Sequence, residues 1–98
     1  MFIAHVTFTT SAADRFTAIA TLRAEAATVR AMSGCIAFTP FADGTTGIGI
    51  LHEWQSAEAF AAYTTSPTFA ETGRTLRPLM TAPPVSKRFD ATLIEAVD

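Results

Sequence analysis

A chain of 98 residues in which 49% are hydrophobic and 16% charged has the size and apolar content of one small folded domain, not of a linked pair or a disordered tail. Seven Lys and Arg against nine Asp and Glu give a formal charge of −2, so the cationic field that holds nucleic acid by counterion release is missing. A single cysteine, Cys35, with only His5 and His52 beside it, closes no intrachain disulfide and builds no structural zinc site, which makes a reducing, cytoplasmic setting the expectation.

The first residues alternate and carry no basic region, and no window approaches the roughly 18 apolar residues of a membrane span, so neither a signal peptide nor a membrane partner is expected. From Phe2 to Thr9, the residues Phe2, Ala4, Val6 and Phe8 alternate with Ile3, His5, Thr7 and Thr9, the period of a half-buried strand. Ser11 and Asp14 resemble a capping box with Asp in place of Glu. Phe16, Ile19, Leu22, Ala26 and Val29 then recur at helical steps, predicting a helix from Ala12 to Ala31 stopped by Ser33-Gly34.

A second strand is predicted from Cys35 to Phe41. Pro40 within it cannot donate to a ladder, so this strand belongs at a sheet edge or carries a bulge. Ala42-Asp43-Gly44 is turn chemistry, and a third strand follows from Thr46 to Gln55, with Ile48, Ile50, His52 and Trp54 on one face. Ser56 caps a short helix to Thr64, and Ser66-Pro67 opens another that runs to Met80. Pro83-Pro84 ends it, and Val85, Lys87, Phe89, Ala91 and Leu93 alternate as a fourth strand.

Strand, helix, strand, strand, helix pair, strand is the ferredoxin-like βαββαβ order, an α+β fold with an antiparallel sheet and its helices on one face. The other face is expected to carry His5, Thr7, Leu51, Glu53, Ser86 and Arg88 or their neighbours, a mixture too apolar for plain solvent and too polar for core. Face-to-face pairing of two copies accounts for it; a monomer with one wetted face is the alternative. A chain this small buries only about 60–70% of its unfolded surface, and a partner copy relieves that.

Ser33-Gly34-Cys35-Ile36-Ala37-Phe38, His52-Glu53-Trp54-Gln55-Ser56, Ala59-Phe60-Ala61-Ala62-Tyr63 and Ser66-Pro67-Thr68-Phe69, at these intervals, resemble the antibiotic biosynthesis monooxygenase family, and the likeness runs from Phe2 to about Ala91. The resemblance implies a homodimer, a dimeric α/β barrel, with a pocket between sheet and helices in each protomer. For several members it implies oxygenation of quinol-like or anthrone-like aromatics by molecular oxygen as co-substrate, with no flavin, haem or metal cofactor. Other members degrade haem, isomerise a signalling sugar or have no known chemistry.

Oxygenation without a cofactor makes the substrate the reductant, so the protein must favour a deprotonated, electron-rich anion in a dry cavity. His52 is the candidate base, since an imidazole titrates near neutral pH, and the apolar residues Ile50, Val6, Phe38 and Phe60 are candidate substrate contacts. Trp54 is a candidate flat wall for an aromatic ligand. Tyr63, where the family commonly has His, is a candidate hydroxyl donor. Arg74 is a candidate cation for an oxyanion, with Arg77 competing for that job. His52 itself departs from the Glu often found there, and each of these residues also has a bland reading as core or surface.

Haem-degrading relatives would place their Asn, Trp and His ligand at Val6, Tyr63 and Gly73, so the proximal ligand is missing. Cys35 is expected to be a small apolar filler. A non-catalytic ligand-binding or stress-associated dimer is the alternative reading, and it predicts a pocket filled by Phe38, Phe60 and Phe69.

Overall fold

A computed structural model describes all residues, 1–98. In chain order the elements are β1 (Phe2–Thr9), α1 (Arg15–Arg30), β2 (Cys35–Asp43), β3 (Gly47–Trp54), α2 (Ala57–Thr64), α3 (Pro67–Leu76), a 3-10 turn at Arg77–Leu79 and β4 (Val85–Asp90). The four strands form one antiparallel sheet in the order β2-β3-β1-β4, the ferredoxin-like arrangement expected from the sequence. No helix is long and apolar enough to cross a membrane.

Local chemistry explains most boundaries. Ser56 and Ser66 accept the backbone N–H of Ala59 and Phe69 on their hydroxyls, both at 3.2 Å, and Pro67 fills the first turn of α3, where its missing N–H costs nothing. The Ser11 hydroxyl accepts from Asp14 N–H at 3.1 Å. That bond closes a turn ahead of α1, so the helix proper begins at Arg15 and not at Ala12. After α1 the chain reverses at Gly34, whose φ of +82° only glycine adopts without strain. A Cβ there would also come within 2.5 Å of the Ala59 Cβ, so the same glycine lets α2 approach the start of β2.

β2 is an edge strand, as Pro40 requires, and it is also irregular: Cys35 opposes Trp54 while Ala37 already opposes Glu53, leaving Ile36 bulged out. β4 is shorter than the alternation to Leu93 predicts. Met1 and Ala91 exchange the last two hydrogen bonds of the β1–β4 ladder, at 2.6 and 2.7 Å, and beyond Ala91 no strand of this chain lies alongside.

One face of the sheet contributes Ala4, Phe8, Phe38, Ile48, Ile50 and Trp54 to a single core that α1 completes with Ala18, Ile19, Leu22, Ala26 and Val29. Ala18 and Ala26 let the helix lie close, and each fully buried aliphatic side chain here contributes about 1.5–3 kcal/mol. The opposite face carries Ile3, His5, Thr7, Phe41, Gly49, Leu51, Glu53, Val85, Lys87 and Phe89. The β1–β4 register corrects one expectation: Ala4 opposes Arg88 and Val6 opposes Ser86, so Ser86 and Arg88 share the helix-covered face, and their neighbours Val85, Lys87 and Phe89 face outward.

Candidate active site

α1 lies over β2 and β3, α2 over β3, and no helix lies over β4, whose residues are all exposed. The uncovered strip leaves a cavity of about 300 Å³ between the sheet and the α2–α3 pair, opening beside β4. Val6 and Ile50 rise into it from the sheet, and Phe60, Phe69 and Leu76 close it from the helices. The pocket is therefore not filled, contrary to the alternative expectation: Phe60 and Phe69 form walls, and Phe38 is packed beneath.

His52 lines this cavity with its ring almost entirely buried, 3% exposed. Its cross-strand neighbours on β1 and β2 are Ala4 and Phe38; the small Ala4 leaves room for the imidazole, and Phe38 meets it edge-on at 5.4 Å. The Trp54 indole N–H donates to His52 Nδ1 at 2.8 Å. Burial, helped by the positive charge of Arg88, lowers the His52 pKa from 6.5 to about 4. At neutral pH the ring is thus uncharged, and with Nδ1 accepting, its one proton sits on Nε2. Nε2 has no partner within the chain, yet it is not sealed off.

Tyr63 lines the same cavity, stacked on Trp54 at 5.3 Å and meeting Phe69 edge-on at 5.3 Å. Burial, and then Glu25 and Cys35, push its phenol up to about 12. Its hydroxyl likewise has no intrachain partner and is not sealed. His52 and Tyr63 thus bring neutral hydrogen-bond donors into a cavity whose lining also carries the hydroxyls of Thr64, Thr72 and Ser86. No Asp or Glu lines it, and no group of three His, Cys, Asp or Glu is placed to hold a metal.

The sequence-derived candidates divide accordingly. His52, Tyr63, Ile50, Phe60 and Val6 meet at the cavity; Trp54 and Phe38 lie behind it in the core and do not line it. Arg74 is on the solvent side of α3, paired with Glu71, and has no place in the cavity. Arg77 and Arg88 line the cavity instead. Arg77 reaches back over Gly73, one turn earlier, where a Cβ would stand 2.9 Å from its guanidinium; this Gly73–Arg77 spacing was the available signal. Arg88, expected with its neighbours on the uncovered face, belongs to the cavity, because alternation gives two faces of a strand without saying which is inside. The positions at which haem-degrading relatives would hold their groups, Val6, Tyr63 and Gly73, all border the cavity, and none of the three carries an imidazole. Cys35 is half-buried with its thiol pushed up, first by burial, consistent with packing and not reactivity.

The sheet, its one-sided helices and the cavity between them define a ferredoxin-like α+β domain with an interlayer cavity. The chain belongs to the antibiotic biosynthesis monooxygenase family, whose sequence profile matches residues 1–75. Among solved structures it is similar to Rv0793 from Mycobacterium tuberculosis, 21% identical over 98% of both chains with a TM-score of 0.86. It is similar also to a Deinococcus radiodurans protein provisionally named an antibiotic biosynthesis monooxygenase, 22% identical over 100% of this chain and 97% of the other, TM-score 0.87. A Bacteroides thetaiotaomicron protein of unknown function, provisionally an oxidoreductase, is 24% identical over 90% and 94% of the two chains, TM-score 0.82. At these identities the likeness establishes the fold. No curated protein matches the chain.

Proposed function

We propose that the chain is a cofactor-independent monooxygenase that oxidises a planar, electron-rich aromatic of the quinol or anthrone type with molecular oxygen, and that it works as a homodimer. The observation that carries this reading is a cavity of about 300 Å³ with aromatic walls, lined by His52 Nε2–H and the Tyr63 hydroxyl as neutral donors and by no carboxylate. That volume is at the lower end of small-molecule pockets and suits a flat ligand. The family's name supports the reaction class.

For an anthrone-type substrate the reaction converts a ring CH₂ and O₂ into C=O and water. The substrate loses a proton to water at the cavity mouth, and its oxyanion accepts hydrogen bonds from His52 and Tyr63. The anion passes one electron to O₂, giving a substrate radical and superoxide that combine at the ring carbon. The resulting peroxide regains the proton and expels water, leaving the carbonyl, so the substrate supplies all four electrons. In this reading His52 acts as a donor in place of the base expected from sequence, because its one lone pair is taken by Trp54 and its pKa is about 4. Trp54 is a positioning residue. An aimed donor of this kind is worth about 2–4 kcal/mol on a developing oxyanion.

Pairing of two copies is supported by the outward sheet face, where Leu51, Val85 and Phe89 are 43%, 53% and 48% exposed. Phe41 lies flat across Gly49 at its centre, stacked with His5 at 6.4 Å, so apolar surface runs across the middle of the face between Glu53 and Lys87.

Oxygen uptake with a dithranol-type anthrone and with quinols, without added cofactor, tests the reading. Consumption of one O₂ per anthrone, with kcat reduced by about 10²-fold in His52→Ala, is expected. No uptake across a panel of electron-rich aromatics, or unchanged turnover in His52→Ala, overturns it.

A further inference from the structure

We infer that the ligand of this cavity is an aromatic acid, its ring lodged against Phe60 and Tyr63 and its carboxylate received at the mouth by Arg77 and Arg88. The inference deepens the reading above by naming the substrate class, and it rests on that reading only for what happens to the ring afterwards.

The chain carries a net negative charge and seven basic residues, and most of these are spoken for or face solvent. Arg15 donates to the Gly44 carbonyl at 2.7 Å, Arg30 to the Phe38 carbonyl at 3.0 Å, and Arg74 pairs with Glu71, the chain's one ion pair. Arg77 and Arg88 are the two that line the cavity, neither has an acidic partner, and no acidic residue shares the lining. A cation left unpaired beside apolar surface is an unfilled anion site as much as a solvated charge, and here two of them border one opening.

They also arrive from opposite walls. Arg77 comes from the 3-10 turn after α3 and lies over the bare Gly73, while Arg88 comes from the sheet. The Arg88 guanidinium carbon stands 5.0 Å above the Phe60 ring, and its Nε donates to the Ser86 hydroxyl at 3.4 Å, so the terminal nitrogens remain free. Guanidinium groups match a carboxylate in a planar, two-point fashion that a lone ammonium does not. The apolar interior excludes a second charge deeper in, so the acid group belongs at the mouth and the ring inside.

Binding, read by calorimetry on the whole chain with redox-inert probes, tests this apart from turnover. 2-Naphthoate is expected to bind about tenfold more tightly than 2-naphthamide, which has the same shape and no charge. Arg77→Gln and Arg88→Gln each narrow that preference and the double variant removes it, whereas Arg74→Gln, outside the cavity, leaves it intact. Circular dichroism melting verifies that the variants fold. Equal affinity for the two probes, or a preference that survives in the double variant, overturns the inference. Neither probe is oxidised, so a naphthoate preference without oxygen uptake on anthrones would sink the monooxygenase reading alone, and uptake without the preference would sink the acid site alone.

Discussion

Trp54 and His52 share one face of β3, two residues apart, and the indole N–H of the first ends on Nδ1 of the second at 2.8 Å in the buried layer behind the cavity. This bond fixes which imidazole nitrogen holds the proton and which way it is offered. Replacing Trp54 with Phe keeps an aromatic ring but orphans a buried acceptor, at a cost of about 1–3 kcal/mol besides the lost volume. Denaturant unfolding should show that loss, and imidazole ¹⁵N shifts should show the proton no longer confined to Nε2. Unchanged stability and an unchanged tautomer would contradict the role given to Trp54.

His52 should also govern stability in acid. Folded, it takes up a proton only near pH 4; unfolded, near 6.5. Between those values the unfolded chain binds more protons, so stability falls as pH drops through that window, by about 3 kcal/mol once it is crossed, with no contribution above pH 6.5. Tyr63 mirrors this at the alkaline end. Its folded pKa is about 12 against 10 unfolded, so stability declines as pH rises past 10. Unfolding midpoints at pH 7 and 4.5, compared between the wild type and His52→Gln, check the acid limb, which should flatten in the variant.

Gly34→Ala should destabilise the fold by about 1–3 kcal/mol, because it forces a positive φ on a residue with a Cβ and drives that Cβ against Ala59. Gly44→Ala provides the comparison: its φ is also positive, at +63°, but nothing stands within 4 Å of the added methyl, so its cost should be the smaller. Thermal melts of the two variants side by side decide it.

Sedimentation should give twice the chain mass of 10.4 kDa for the wild type. Leu51→Glu combined with Phe89→Glu places charge in the middle of the outward sheet face and should yield the single-chain mass with the helical signal retained. A wild type that sediments as one chain would remove the homodimer from the proposal.

Much of the fold was legible because it is written in periods and caps. Alternation placed β1 and β3, Ser56 and Ser66-Pro67 placed the two short helices, and Pro40 assigned β2 to an edge. What escaped depended on how elements meet. The alternation of β4 is plain in the sequence, but its phase against β1 is set by pairing with Ala4 and Val6, so alternation alone leaves open whether Ser86 and Arg88 or their neighbours face outward. Arg74 and Arg77 are nearly equivalent in a sequence; only the packing of Thr72 and Leu76 turns one to solvent and the other to the cavity. His52 and Trp54 were both visible as site residues, whereas the bond between them, which alters what each can do, is a matter of side-chain torsions.

The irregular edge of β2 limits how the sheet can grow. With Ile36 bulged out of register and Pro40 bringing no amide hydrogen, that border presents a broken row of donors and acceptors, a poor template for another extended chain. The other border, β4, is regular and uncovered. An added strand would be admitted on one flank only, the flank that carries Arg88 and the opening of the cavity, so crowding or fibril-like stacking of copies along that flank would register first as a change in ligand access.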